Sequence, residues 1–246
     1  MTKKYVMLAD TVRCINCKAC VVACRAEWET PMGYTRDWVK EVEWVQNDQP
    51  KVMLFPGRCQ HCDDAPCIEA CPSGAAYKRA DGLVLQDNCI CSGCELCVPA
   101  CPYEARWLNP VTNTISKCTF CQPRIDKGLE PACVQTCVGR ALIFGDMNDQ
   151  ESEVSKLLKE KEWVRLTTDE VNIGPNHYYY TAGEALPDEV MPKLHDRHLS
   201  GKTMEIVNPI GAIAIGGMLL TFLGAGVMKL IGRRNEVSTS ENQEEK

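Results

Sequence analysis

The chain has 246 residues, a net charge of −6 and 17 cysteines. An acidic chain without a basic cluster argues against nucleic acid as a partner, and the odd cysteine count excludes a fully paired disulfide framework without a spare thiol or an intermolecular bond. Every cysteine lies between Cys14 and Cys137, nearly all in tight groups, which is the pattern of metal or iron–sulfur ligation rather than of loop-closing disulfides.

The N-terminal stretch "MTKKYVMLADTVRC" does not read as a secretory signal. Its apolar run is short, no small-residue cleavage site follows, and no twin-arginine pair is present. Export is therefore expected to depend on a partner that carries the signal. The first cysteine group follows, Cys14-x2-Cys17-x2-Cys20-x3-Cys24. "VKEVEWV" (39–45) and "KVMLF" (51–55), joined through Asn47-Asp48-Gln49-Pro50, predict a hairpin. The second group is Cys59-x2-Cys62-x4-Cys67-x3-Cys71-Pro72. Residues 75–86 predict a hairpin around Asp81-Gly82. The third group is Cys91-x2-Cys94-x2-Cys97-x3-Cys101-Pro102, and "ARWLNPVTNTIS" (105–116) predicts another hairpin, turned at Asn109-Pro110 and Asn113. The fourth group is Cys118-x2-Cys121-x11-Cys133-x3-Cys137. Cysteine groups thus alternate with short hairpins, a repeat in layout more than in sequence.

Beyond residue 147 the character changes. "DQESEVSKLLKEKEW" (149–163) predicts a helix starting at Asp149 or Ser152, with acids early and lysines late, and "NHYYYT" (176–181) suits a short strand whose tyrosines pack. Residues 206–228, "IVNPIGAIAIGGMLLTFLGAGVM", carry no charge. As a helix they extend roughly 34 Å, enough for a hydrocarbon core about 30 Å thick. The glycines there make no phosphate loop, because no Lys-Ser/Thr follows. Gly217, Thr221 and Ala225 recur at a spacing that lets another helix approach. The expected organisation is 1–147 a cluster domain, 148–204 a cover packed on it, 205–231 a transmembrane helix and 232–246 a polar, disordered tail. Lys229, Arg233 and Arg234 at the C-terminal boundary favour a cytoplasmic C-terminus, against Lys193, Arg197 and Lys202 on the other side. The expected location is a single-pass membrane protein with its cluster domain in the periplasm.

The cysteine spacing has a geometric reading. A [4Fe–4S] cube needs four thiolates in a tetrahedron. Three closely spaced cysteines wrap three irons, and the fourth, three residues on, reaches the neighbouring cluster, so groups work in pairs. A following proline fixes φ where the chain leaves that cysteine. Zinc ribbons use two-plus-two spacing and need no such fourth cysteine. Counting the third group from Cys91 uses four of its five thiols and leaves Cys89 as the seventeenth, a bystander. The chain offers no nucleophile–base arrangement, no nucleotide fingerprint and no cluster position short of a cysteine. It is therefore read as a non-catalytic subunit, with a structural zinc protein as the competing class.

The motifs "CINCKACVVAC", "CQHCDDAPCIEACPSGA", "CSGCELCVPACPYEAR" and "KCTFCQPRIDKGLEPACVQTC...ALIFGD" resemble the four-cluster ferredoxin-like subunits of respiratory molybdopterin oxidoreductases. These include polysulfide, thiosulfate, tetrathionate and dimethyl sulfoxide reductases. The resemblance covers residues 5–147. It implies an α+β fold of tandem bacterial-ferredoxin-like repeats with short hairpins, here followed by the C-terminal transmembrane helix, and four [4Fe–4S] clusters. It also implies a pairing. Cys14, Cys17 and Cys20 would share a cluster with Cys137. Cys118, Cys121 and Cys133 would take Cys24. Cys59, Cys62 and Cys67 would take Cys101, and Cys91, Cys94 and Cys97 would take Cys71. Arg25 and Val138 stand where that pattern has proline after the fourth cysteine.

The expected function is electron relay in anaerobic respiration. The wire would run between a molybdopterin catalytic subunit and an integral quinone-interacting membrane subunit. The equivalent subunit of a formate dehydrogenase or hydrogenase complex is the alternative. His61 is a candidate tuner of cluster potential, whereas Tyr103 and Trp107 are expected to pack. Cys89→Ala is expected to keep all the iron and acid-labile sulfide, while Cys91→Ala loses about four irons. Elemental analysis showing the reverse would shift the register, and zinc without iron would overturn the cluster reading.

Overall fold

The structure is a computed structural model that describes residues 2–46 and 48–193. The expected transmembrane helix at 205–231, the tail at 232–246 and the end of the expected cover lie outside the described residues. Among the described residues, no helix is long and apolar enough to cross a membrane.

Strand β1, Tyr5–Asp10, anchors the fold. Val6, Met7, Leu8 and Ala9 are all fully buried, as expected of a strand covered on both faces. Each large side chain in such a run contributes about 1.5–3 kcal/mol on burial. Successive side chains point to opposite faces. Val6 and Leu8 pack with Ile143 and with Val154 of a helix described below, while Met7 and Ala9 face the core that holds the cysteines.

Helix α1, Ala19–Glu27, carries Cys20 and Cys24. β2, Asp37–Gln46, and β3, Gln49–Arg58, pair in register from Asp37↔Arg58 to Gln46↔Gln49. These strands are longer than the expected 39–45 and 51–55, and Pro50 lies inside β3. A two-stranded ribbon has two open edges, where a missing N–H leaves no ladder partner unsatisfied. The short helix α2, Pro66–Glu69, carries Cys67.

The next two hairpins are β4, Ala76–Lys78, with β5, Val84–Gln86, and β6, Trp107–Asn109, with β7, Thr114–Ser116. Gly82 turns the first at φ +90° and Asn113 the second at φ +53°, both in the left-handed region that such turns need. Then come α3, Gln122–Ile125, α4, Ala132–Gln135, with Cys133, and β8, Leu142–Asp146.

Past residue 147, α5 spans Glu153–Glu160, and the Ser152 hydroxyl accepts a hydrogen bond from the Ser155 N–H, the N-cap contact. β9 is Val164–Arg165 and β10 is His177–Tyr180, followed by a 3-10 turn at Asp188–Val190. The sheet order is β8-β1-β10-β9, with β1 antiparallel to β8 and parallel to β10. The late segment therefore supplies a strand beside the anchor β1. Tyr179 is fully buried and stacks on Phe55 with ring centres 4.3 Å apart. Asn176 donates to the His61 carbonyl (2.8 Å) and to Asp63 Oδ1 (2.9 Å), which ties this segment to the second cysteine loop.

Candidate metal centre

Four loops of the same shape carry the first two cysteines of each group. The residue just before the second cysteine is left-handed in every one: Asn16 at φ 54°, His61 at 45°, Gly93 at 68° and Phe120 at 53°. For a non-glycine residue that conformation costs about 1–2 kcal/mol. Three of the four loops accept that cost, so the bend matters more to them than local strain. It turns successive backbone N–H groups to one side, a concavity suited to anionic sulfur. Backbone donors already reach thiol sulfurs: Phe120 N–H to Cys118 (3.4 Å), Ala76 to Cys71 (3.4 Å), Ile115 to Cys91 (3.5 Å) and Ala141 to Cys137 (3.2 Å).

The thiols fall into four neighbourhoods. Cys14 and Cys20 both interact electrostatically with Cys137, and Cys14 with Cys17. Cys24 interacts with Cys118 and Cys121, as does Cys133. Cys62 interacts with Cys59, Cys67 and Cys101. Cys97 interacts with Cys71, on the loop that also carries Cys91 and the exposed Cys94. Helix α1 explains how adjacent cysteines reach different neighbourhoods. Cys20 and Cys24 share a face one turn apart, about 6 Å along the axis, so one helix straddles two sites.

The donor set fits an iron–sulfur cube rather than a lone ion. Cys14, Cys17, Cys20 and Cys137 line one concavity, and Cys59, Cys62, Cys67 and Cys101 line another, four soft sulfur donors at each. Among the described residues, no three His, Cys, Asp or Glu side chains converge closely enough to hold one metal ion, as a tetrahedral zinc site would need. Burial pushes the Cys20 and Cys118 thiols up to about 12 and Cys101 up to about 11. Bare thiolates are thus disfavoured here, and a bound cation would deprotonate them. Two buried nitrogens of Arg106, Nε and Nη2, have no hydrogen-bond partner at the wall of the second cavity, where cluster sulfur would accept them.

Three cations that spacing alone does not reveal are buried among these sites: Arg58, Arg106 and Lys117. Arg58 and Lys117 sit directly before the first cysteine of the second and fourth groups, but so does the exposed Arg13 in the first, so that position alone does not mark burial. Arg106 has no such position. His61 is fully buried and stacks on Phe120, ring centres 3.8 Å apart. Its Nδ1 accepts the Val84 N–H at 3.0 Å. Burial, and then the Lys117 ammonium, hold the imidazole well below its usual range, so the ring is neutral. Tyr103 is buried with its hydroxyl donating to the Leu166 carbonyl, and Trp107 stacks on Tyr34. Both pack. Cys89 is exposed, with its backbone N–H on Asp87.

The sequence matches the 4Fe–4S dicluster domain twice, over residues 13–75 and over residues 50–147. A tetrathionate reductase subunit of Salmonella typhimurium is 40% identical over 191 residues, covering 76% of this chain and 76% of its own length. The thiosulfate reductase electron transfer subunit of Salmonella typhi is 42% identical, covering 67% of this chain and 86% of its own length. A polysulfide reductase subunit of Wolinella succinogenes is 40% identical, with 67% and 88% covered.

Gly93 gives a direct test of the loop geometry. A Cβ there would meet the Asn113 carbonyl oxygen at 2.5 Å, on a residue already at φ +68°. Gly93→Ala is expected to lose up to about four irons per chain, one cluster, with the remaining clusters still visible by electron paramagnetic resonance. Full iron content in that variant would contradict the loop's role.

Proposed function

The chain belongs to the family of 4Fe–4S dicluster electron-transfer subunits that serve reductase complexes, and on that premise we propose that it relays electrons between a molybdopterin catalytic subunit and a quinone-interacting membrane subunit. When bound, each of the four [4Fe–4S] clusters takes up and returns one electron. The sixteen ligands are Cys14, Cys17, Cys20 and Cys137 at the first site; Cys24, Cys118, Cys121 and Cys133 at the second; Cys59, Cys62, Cys67 and Cys101 at the third; and Cys71, Cys91, Cys94 and Cys97 at the fourth.

The observation that carries this reading is the linear order of the sites. α1 joins the first to the second through Cys20 and Cys24. Cys118 interacts with Cys59, linking second to third, and Cys67 interacts with Cys97, linking third to fourth. All eight thiols of the two middle sites are buried, whereas Cys17 at one end and Cys94 at the other are exposed. A path closed in the middle and open at both ends suits a relay between two partners. Exposed apolar residues stand beside each open end: Val12, Ile15 and Val138 at the first, Ile90 and Leu96 at the fourth. Apolar surface of that kind suits protein contact. Residues 206–228 cross the membrane as a helix and hold the subunit beside the quinone-interacting partner, with the cluster domain in the periplasm and the C-terminus in the cytoplasm.

Two measurements test these assignments. Cys137→Ala is expected to alter the same resonance as Cys14→Ala, and Cys24→Ala the same one as Cys118→Ala, in spectra of the reduced complex. Matching Cys24 with Cys14 instead would remove the crossing. For sidedness, alkaline phosphatase fused after Lys246 is expected to be inactive and a green-fluorescent fusion bright. The opposite pattern would put the clusters in the cytoplasm.

A further inference from the structure

Among the described residues, three lysine or arginine side chains are buried, Arg58, Lys117 and Arg106, and each stands at a junction between consecutive sites. Arg58 places Nη1 3.5 Å from Cys133 Sγ of the second site and interacts with Cys20 of the first. Lys117 places Nζ 3.6 Å from Cys59 Sγ of the third site and donates at 2.7 Å to the carbonyl of Cys118 of the second. Arg106 lines the third site's cavity with Cys59, Cys62, Cys67 and Cys101 and interacts with Cys97 of the fourth.

The three are not equivalent in charge. Arg58 is ion-paired with the buried Asp37 at 2.8 Å, so that junction is close to neutral. Lys117 is held by neutral carbonyls, those of Val84 and Cys118. Arg106 is held by the Gln86 amide oxygen at 3.1 Å. Among the described residues, neither forms a salt bridge with a carboxylate. The third site therefore has two uncompensated buried cations on its wall. The second shares one of them, whose Nζ lies nearer the third site's Cys59, and it otherwise faces the paired Arg58 and Asp37 and the partly exposed Arg36, which interacts with Cys24, Cys118 and Cys121. Buried charges are screened little by salt and act strongly at short range, and local charge is one of the levers that set cluster potential.

We propose that Lys117 and Arg106 set the resting place of the electron: their charges favour the reduced form of the cluster on Cys59, Cys62, Cys67 and Cys101 over that of its inner neighbour on Cys24, Cys118, Cys121 and Cys133. The step is a one-electron reduction of the third-site cluster by its neighbour. No bond forms or breaks. Both side chains act through the field at the cluster and are positioning residues, not catalytic ones. The proposal rests on the ligand assignment of the preceding section.

The test is a potentiometric titration of the intact complex followed by electron paramagnetic resonance, with the third-site signal identified as the one altered in both Cys62→Ala and Cys101→Ala. The wild type is expected to reduce that cluster before its inner neighbour. Lys117→Gln is expected to lower its reduced-to-oxidised ratio at fixed potential about tenfold, a downward shift of about 59 mV for one electron. Lys117→Arg is expected to restore it, and Arg106→Gln to shift it in the same direction. Full iron with unmoved potentials in both glutamine variants would overturn the proposal. Should Lys117→Gln lose iron, Arg106→Gln decides alone. If Cys62→Ala and Cys101→Ala alter different signals, or the wild type holds fewer than about sixteen irons, the ligand assignment fails instead.

Discussion

Burying a thiolate costs several kcal/mol unless positive charge or hydrogen bonds compensate it, and this chain gathers sixteen grouped thiols into about half its length. Ten of the seventeen cysteines are buried. The compensation is distributed over the fold. Left-handed residues aim backbone N–H groups at sulfur. Arg58, Lys117 and Arg106 bring charge into the core. The metal supplies what remains, which is why folding and cluster loading are expected to be coupled.

The second constraint is that no group closes its own site. The fourth cysteine of each group stands with thiols of another group, so metal bound there would hold together loops distant in sequence. Cys24 stands with Cys118 and Cys121, and Cys14 with Cys137. Hairpins between the groups are short because they need only return the chain to the next site. The long sheet contact is made elsewhere, by β1 between β8 and β10. That sheet closes the two ends of the described chain over the sites, and Asn176 fastens it to the second loop.

A relay differs from a catalyst in what it must keep fixed. The middle sites are closed and their walls are ordered by buried polar contacts: Arg58 with Asp37, His61 on Phe120, Gln60 on Tyr179. Groups that do not move when charge arrives add little reorganisation to each transfer, the preorganisation argument applied to electrons. The ends are more open, with exposed thiols and apolar neighbours.

Much of this was legible in the chain itself. Cysteine spacing is a local property: two-residue gaps bend a loop around one site whatever surrounds it, so sixteen candidate ligands could be named from the chain, and Cys89 set apart from them. Turn residues placed the hairpins for the same reason, and of the two expected starts, Asp149 and Ser152, it is Ser152 that caps α5. What local spacing could not carry was contact across the chain. The partner of Cys24 lies almost a hundred residues away. His177 to Tyr180 read as a strand, but only the tertiary structure put it parallel to β1. Lys117 looked like one more charged residue in an acidic chain, yet folding removes it from water and places it between two sites. Burial is a property of the assembled core, so the charges that act on the sites were decided there.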